Sequence, residues 1–187
     1  QIADITTIRL KDKVYPFYMN LCYRTYPDAD IIETWTEITH EEKKAITLNR
    51  FASAHLPIRK GDVWVSHLYG SWANEAQLAQ EPLRPGIKMI KNKDGIRNSH
   101  TAHAEVMISL DGKPKENTGS VIGAALCYSG NYKLFFDTDD SDYHHFFAGI
   151  NEENSAYTLK AKESFRTPEL ALTYSKDGLS AVSYTHL

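Results

Sequence analysis

Apolar and polar residues alternate along most of this chain. Between residues 14 and 26, Tyr15, Phe17, Met19, Leu21 and Tyr23 alternate with Pro16, Tyr18, Asn20, Cys22 and Arg24. A period of two sends successive side chains to opposite faces of a strand, so this stretch predicts a strand with one very apolar face. Residues 29–39 repeat the pattern, with Ile32, Thr34, Thr36 and Ile38 against Ile31, Glu33, Trp35 and Glu37. The link between them reads Pro-Asp-Ala-Asp, a turn composition. The two runs predict a hairpin.

Further short strands are predicted at 45–58, 63–72, 86–91, 102–110, 120–128, 132–137, 143–150, 156–162 and 165–174. Turn-rich segments separate them, among them 59–62, 111–119, 129–131, 137–142 and 151–155. Such spacing points to an all-β fold, a large antiparallel sandwich. Helix is scarce. Residues 73–80 are rich in helix formers but sit between two strands, so one helical turn and a strand edge are both open. At the end, Leu179, Val182 and His186 recur at helical spacing behind a Ser-Lys-Asp-Gly turn, which predicts the start of a helix. The division expected is a sandwich over 1–175 and the beginning of a helix over 176–187.

The 187 residues are 42% hydrophobic and 11% aromatic, with a net charge of −3. That is enough apolar material for one real core. A weakly acidic chain with no basic run offers no electrostatic footing for nucleic acid or an anionic membrane. No apolar run is long enough for a membrane-spanning helix. The first residues carry no initiator methionine and no signal-peptide pattern, and they read as the interior of a longer chain. Cys22 and Cys127 are too few for a disulfide framework. Both are expected to be buried thiols, which hints at a reducing, cytoplasmic setting.

Candidate chemistry is sparse. Glu33 and Glu37 share a strand face, but solvent faces of strands are ordinarily polar. Asp137, Asp139 and Ser141 match the first ligand positions of a calcium loop. The pattern then fails, because Asp142 and Ala148 stand where glycine and glutamate are needed. His100, His103, His144 and His145 form no evident zinc set. No phosphate-binding loop, dinucleotide fingerprint or nucleophile elbow occurs. No catalytic residue, metal or cofactor is expected. The most particular stretch runs from Gly70 to Gly86, with Trp72 and Glu75 near its start. A strand tryptophan is usually packed, so Trp72 is expected in the core. The alternative is a platform on which a sugar ring stacks.

The order of these elements resembles the N-terminal domain of melibiase-type α-galactosidases, glycoside hydrolase family 36. Gly70, Ser71, Trp72 and Glu75 match its first motif. Pro82, Leu83 and Gly86 match its turn, Lys88 to Lys91 its basic strand, and Gly95, Ser99 and His100 the element that follows. Gly119, Gly123, Leu126, Tyr128, Ser129, Gly130 and Asn131 match a later strand pair. Glu163 to Phe165, Thr167 to Glu169, Tyr174, Ser175, Gly178, Leu179 and Ser183 match the closing strands. The last five residues depart from the family pattern.

The resemblance implies a twisted supersandwich, with early strands missing, in front of a (β/α)₈ barrel that carries the catalytic aspartates. On that reading the chain is a non-catalytic domain with scaffold, oligomerisation and active-site-bordering roles, inactive alone. Its partners are the enzyme's own barrel, further copies of the same chain and a carbohydrate substrate of the melibiose or raffinose type. Trp72, Glu75, Ser99 and His100 are the candidates to border substrate or an interface. A free-standing carbohydrate- or protein-binding sandwich is the alternative.

Overall fold

The computed structural model describes residues 3–58, 61–97, 101–153 and 155–186. In chain order the strands are β1 (Asp4–Lys11), β2 (Phe17–Tyr26), β3 (Ile31–His40), β4 (Ile46–Leu48) and β5 (Ala54–Ile58). There follow β6 (Trp64–Ser71), β7 (Asn74–Pro82), β8 (Gly86–Lys91), β9 (Glu105–Ser109) and β10 (Val121–Leu126). The last are β11 (Tyr132–Thr138), β12 (His144–Ile150), β13 (Tyr157–Leu159), β14 (Ser164–Arg166) and β15 (Leu170–Ser175), before the helix α1 (Gly178–His186).

One large sheet runs β1-β2-β3-β15-β10-β9-β6-β7, with β14 also on β3. A four-stranded sheet runs β5-β12-β11-β8, and β4 and β13 form a small ribbon. The paired strands are antiparallel, so the all-β sandwich expected from the alternation is the architecture observed. Among the described residues no helix is long and apolar enough to cross a membrane.

The two sheets meet on their alternate residues. The large sheet contributes Val65, Val106, Ile108, Ala124, Leu126 and Leu170, and the small one Ile58, Ile90, Leu134, Phe136, Phe146 and Ala148. Phe136 and Phe146 are cross-strand partners, fully buried and stacked with centroids 4.8 Å apart. Tyr132 is also fully buried, and its hydroxyl donates to the Ala102 carbonyl at 2.8 Å. That bond satisfies a polar group that burial would otherwise penalise. A second cluster of Ile38, Leu48, Leu159 and Phe165 packs the ribbon against the end of β3. Here buried His40 bridges two backbones. Its Nε2 lies 3.1 Å from the Leu159 carbonyl, and its Nδ1 accepts from the Glu42 amide at 3.2 Å.

The predicted hairpin forms from β2 and β3, closed by a short 3₁₀ turn at Pro27–Ala29 with Asp30 left-handed at φ 52°. Helix α1 packs Leu179 and Val182 on Val121 and Met107 of the large sheet's outer face. The loop between β9 and β10 holds its start. The amides of Gly178, Leu179 and Ser180 donate to the carbonyls of Gly119, Lys115 and Glu116. Backbone donors that a helix leaves unpaired at its N-terminus are thereby satisfied. A Cβ on Gly178 would lie 2.5 Å from the Thr118 nitrogen, so the close approach requires glycine.

Four expectations are corrected. The strand expected at 165–174 breaks at Thr167–Glu169, around Pro168, into β14 and β15, both paired with β3. The stretch 45–58 divides into β4 and β5, which join different sheets. β1 was not foreseen, because its residues are exposed on both faces and carry no buried stripe. Cys127 is exposed just past the end of β10, whereas Cys22 is buried inside β2. Burial pushes the Cys22 thiol up from its ordinary range. The Cys127 thiol is also pushed up, first by desolvation from its neighbours and then by the Glu33 and Glu169 carboxylates. A thiol reagent should therefore modify one cysteine of the folded chain, Cys127, faster as the pH climbs above about 8.5, and Cys22 only in denaturant. Mass-mapped titration checks this. Two reactive thiols in the native state, or none, would contradict the placement.

Candidate functional site

The β6–β7 hairpin has a buried base and a projecting tip. Val65 and Ser66 are buried at its foot, while β7 is exposed from Asn74 through Leu78 and half-buried thereafter. Of residues 73–80, left open between helix and strand edge, Ala73 lies in the turn and Asn74 to Gln80 lie in β7, an edge strand of the large sheet. Their helix propensity is overridden by pairing with β6, the stronger influence where a partner strand is at hand.

Local geometry shapes the tip. The register runs regularly through Leu68↔Leu78 and Tyr69↔Gln77, then slips to Ser71↔Asn74. Gly70 sits in that slip. A Cβ there would lie 2.8 Å from both the Asn74 carbonyl oxygen and the Glu75 Cα, so any side chain would force the strands apart. Trp72 and Ala73 make the loop, with Ala73 at φ 60° and Ala76 at φ 54°. Side chains seldom adopt this left-handed region, and neither residue is glycine. The Glu75 carboxylate accepts the Ala73 amide at 3.0 Å, and the Gln77 side chain donates to the Glu75 carbonyl at 3.3 Å.

The outcome for Trp72 reverses the core expectation. Its side chain stands at the tip and is 82% exposed. Tyr69 and Leu78, on the same hairpin, are 45% and 54% exposed. Sequence reasoning placed Trp72 inside because tryptophan normally packs; the turn around it carries it beyond the reach of the small sheet. Glu75 is exposed and engaged with the backbone of the loop. Ser99 and His100 lie outside the described residues. Thr101 and Ala102 border the hairpin, through the Gly70 amide bonded to the Thr101 carbonyl at 3.1 Å and a bridge from Tyr69 to Ala102.

At the hairpin's foot Lys88 pairs with Glu81 at 2.6 Å, and His67 Nε2 lies 3.7 Å from the same carboxylate. Burial, followed by the Lys88 charge, holds the His67 pKa below its ordinary value. Alongside, between α1 and the outer face, runs a groove of about 420 Å³ lined by Leu68, Leu78, Met107, Ala125, Leu179 and Ser183. Sequence reasoning did not find it, because it forms only where α1 meets strands distant in sequence. Among the described residues no three His, Cys, Asp or Glu side chains converge to hold a metal ion. The hairpin's chemical offer is an exposed indole beside a hydrogen-bonded turn. Such a surface suits stacking on a sugar ring or packing into a neighbour.

A family model described as the glycosyl hydrolase family 36 N-terminal domain matches residues 3–160. The chain belongs to that family. α-Galactosidase Mel36A of Lactobacillus acidophilus is 32% identical over 181 residues, covering 97% of this chain and 24% of that protein. The bifunctional α-galactosidase/sucrose kinase AgaSK of Mediterraneibacter gnavus is 31% identical over 97% of this chain and 19% of its own length. Among solved structures, the galactosidase domain of AgaSK superposes with a TM-score of 0.93 at 30% identity, over 98% of this chain and 25% of that one. The family 36 α-galactosidase AgaA of Geobacillus stearothermophilus gives a TM-score of 0.93 at 26% identity, over the same shares. This family 36 domain therefore spans about a quarter or less of the length of these relatives.

Exposure fixes what a truncation at the tip should do. Trp72→Ala is expected to change stability by no more than about 0.5 kcal/mol, the usual range for an exposed site. Phe136→Ala, at the buried contact between the sheets, should cost about 3–5 kcal/mol. Denaturant melts of the two variants would check this. A loss of several kcal/mol at Trp72 would contradict its position at the tip.

Proposed function

We propose that this chain is the non-catalytic N-terminal sandwich of a retaining α-galactosidase that removes terminal α-galactose from oligosaccharides of the melibiose and raffinose type. Within that enzyme it serves as scaffold and oligomerisation surface for a (β/α)₈ barrel, and α1 begins the passage toward that barrel. The observation that carries this reading is the match along 97–98% of the chain to proteins named as α-galactosidases. Crystal structures of AgaA variants with stachyose and with raffinose support the substrate class, since those complexes belong to a protein that superposes over 98% of this chain.

The β6–β7 hairpin is the part that borders substrate, with Trp72 as the contact. Its 82% exposure supports this, because a large indole held in water is otherwise unfavourable. Glu75 takes part through the loop. Ser99 and His100 remain candidates on the family motif alone.

Retaining glycoside hydrolysis needs a nucleophile and an acid/base, two carboxylates about 5–5.5 Å apart. On this reading both reside in the barrel. Purified alone, the chain is expected to release no chromogenic aglycone from an α-galactoside, while the full-length enzyme turns over. Turnover by the isolated chain that persists through further purification would overturn the non-catalytic assignment.

A further inference from the structure

We infer that Glu75 is a positioning residue: its carboxylate fastens the Trp72–Ala73 turn and so aims the indole at its target. This rests on the reading of Trp72 as the hairpin's substrate contact. The Glu75 side chain turns back to accept the Ala73 amide at 3.0 Å. Ala73 and Ala76 flank it, at φ 60° and φ 54°. An alanine left to itself prefers negative φ, so this turn is not the local sequence's own choice. Something must hold it.

Two features do so from opposite sides. Gly70 lets the strands close to a distance that no Cβ would permit. Glu75 supplies an acceptor for a backbone donor in the two-residue loop, where ladder pairing has ended between Ser71 and Asn74. A hydrogen bond from a backbone amide to a carboxylate is charge-assisted and stronger than a neutral one. Without it Ala73 returns toward negative φ, the loop reorients, and the adjoining indole loses its fixed direction. Rigid presentation lowers the ordering cost of binding, so the loss appears in substrate affinity more than in the chemical step.

A double-mutant cycle in the full-length enzyme tests this, with a raffinose-type substrate. Trp72→Ala and Glu75→Ala should each raise KM by roughly three- to tenfold with kcat little changed, the signature of lost binding common to ground and transition states. The double variant should be no worse than Trp72→Ala, since Glu75 acts through Trp72. Glu75→Gln keeps a carbonyl acceptor without its charge and should fall between wild type and Glu75→Ala, nearer to wild type. Additive single effects, or a Glu75→Gln variant as impaired as Glu75→Ala, would mean that Glu75 meets the substrate directly and would overturn the inference. An unchanged KM in Glu75→Ala, with a raised one in Trp72→Ala, would overturn it too. If Trp72→Ala leaves KM unchanged, the reading of the hairpin as a substrate border fails instead. The turn lock is then judged by NMR on this chain, from the temperature coefficient of the Ala73 amide. Exposure of that amide in Glu75→Ala but not in Glu75→Gln supports the lock, and no change in either variant overturns it.

Discussion

The fold depends on two sheets meeting face to face through alternate residues of strands distant in sequence. At the centre of that contact Phe136 and Phe146 stack across β11 and β12, fully buried. Leu134 and Ala148 lie one pleat along, and Val65, Ile108 and Ala124 face them from the large sheet. A slip of one residue in either sheet would turn these side chains outward, so the apolar alternation fixes register and layer together. The same constraint explains the hairpin. The β6–β7 pair is anchored where the small sheet covers it and becomes exposed where that cover stops. Its tip is shaped by a glycine without room for a Cβ, two left-handed alanines and one carboxylate, with the Thr101 carbonyl accepting the Gly70 amide beside it.

Much of the sandwich was legible because buried strands with a wet face write a period of two. The β2–β3 hairpin and the strands from β8 to β12 could be read from that signal, and the beginning of α1 from the helical spacing of Leu179 and Val182 behind a glycine turn. What could not be read lacked it. β1 is exposed on both faces and shows no stripe. The division of 45–58 into two strands is set by which partner each half meets, a matter of distant sequence. Residues 73–80 carry helix formers because an edge strand facing water has little to bury, and only pairing with β6 decides their form.

The candidate site was legible in place and misread in orientation. The Gly70–Glu75 motif marked the right hairpin, but general packing statistics put Trp72 inside. The deciding information is the turn itself. Side chains at positions 73 and 76 give no hint of positive φ, since alanine is not a residue that normally signals it. Cys127 was misplaced for a related reason: an apolar neighbourhood in sequence, at Leu126 and Tyr128, does not guarantee cover past the end of a strand.

An exposed indole on a fastened turn, at the rim of a family 36 N-terminal sandwich, ties the fold to the function proposed above. The most direct test is a crystal structure of the full-length enzyme with a raffinose-type oligosaccharide in its pocket. The account predicts the Trp72 indole in van der Waals contact, at about 3.5–4.5 Å, with the sugar or with a side chain lining its pocket. A Trp72 that remains in solvent, or that folds back onto its own sandwich, would contradict it.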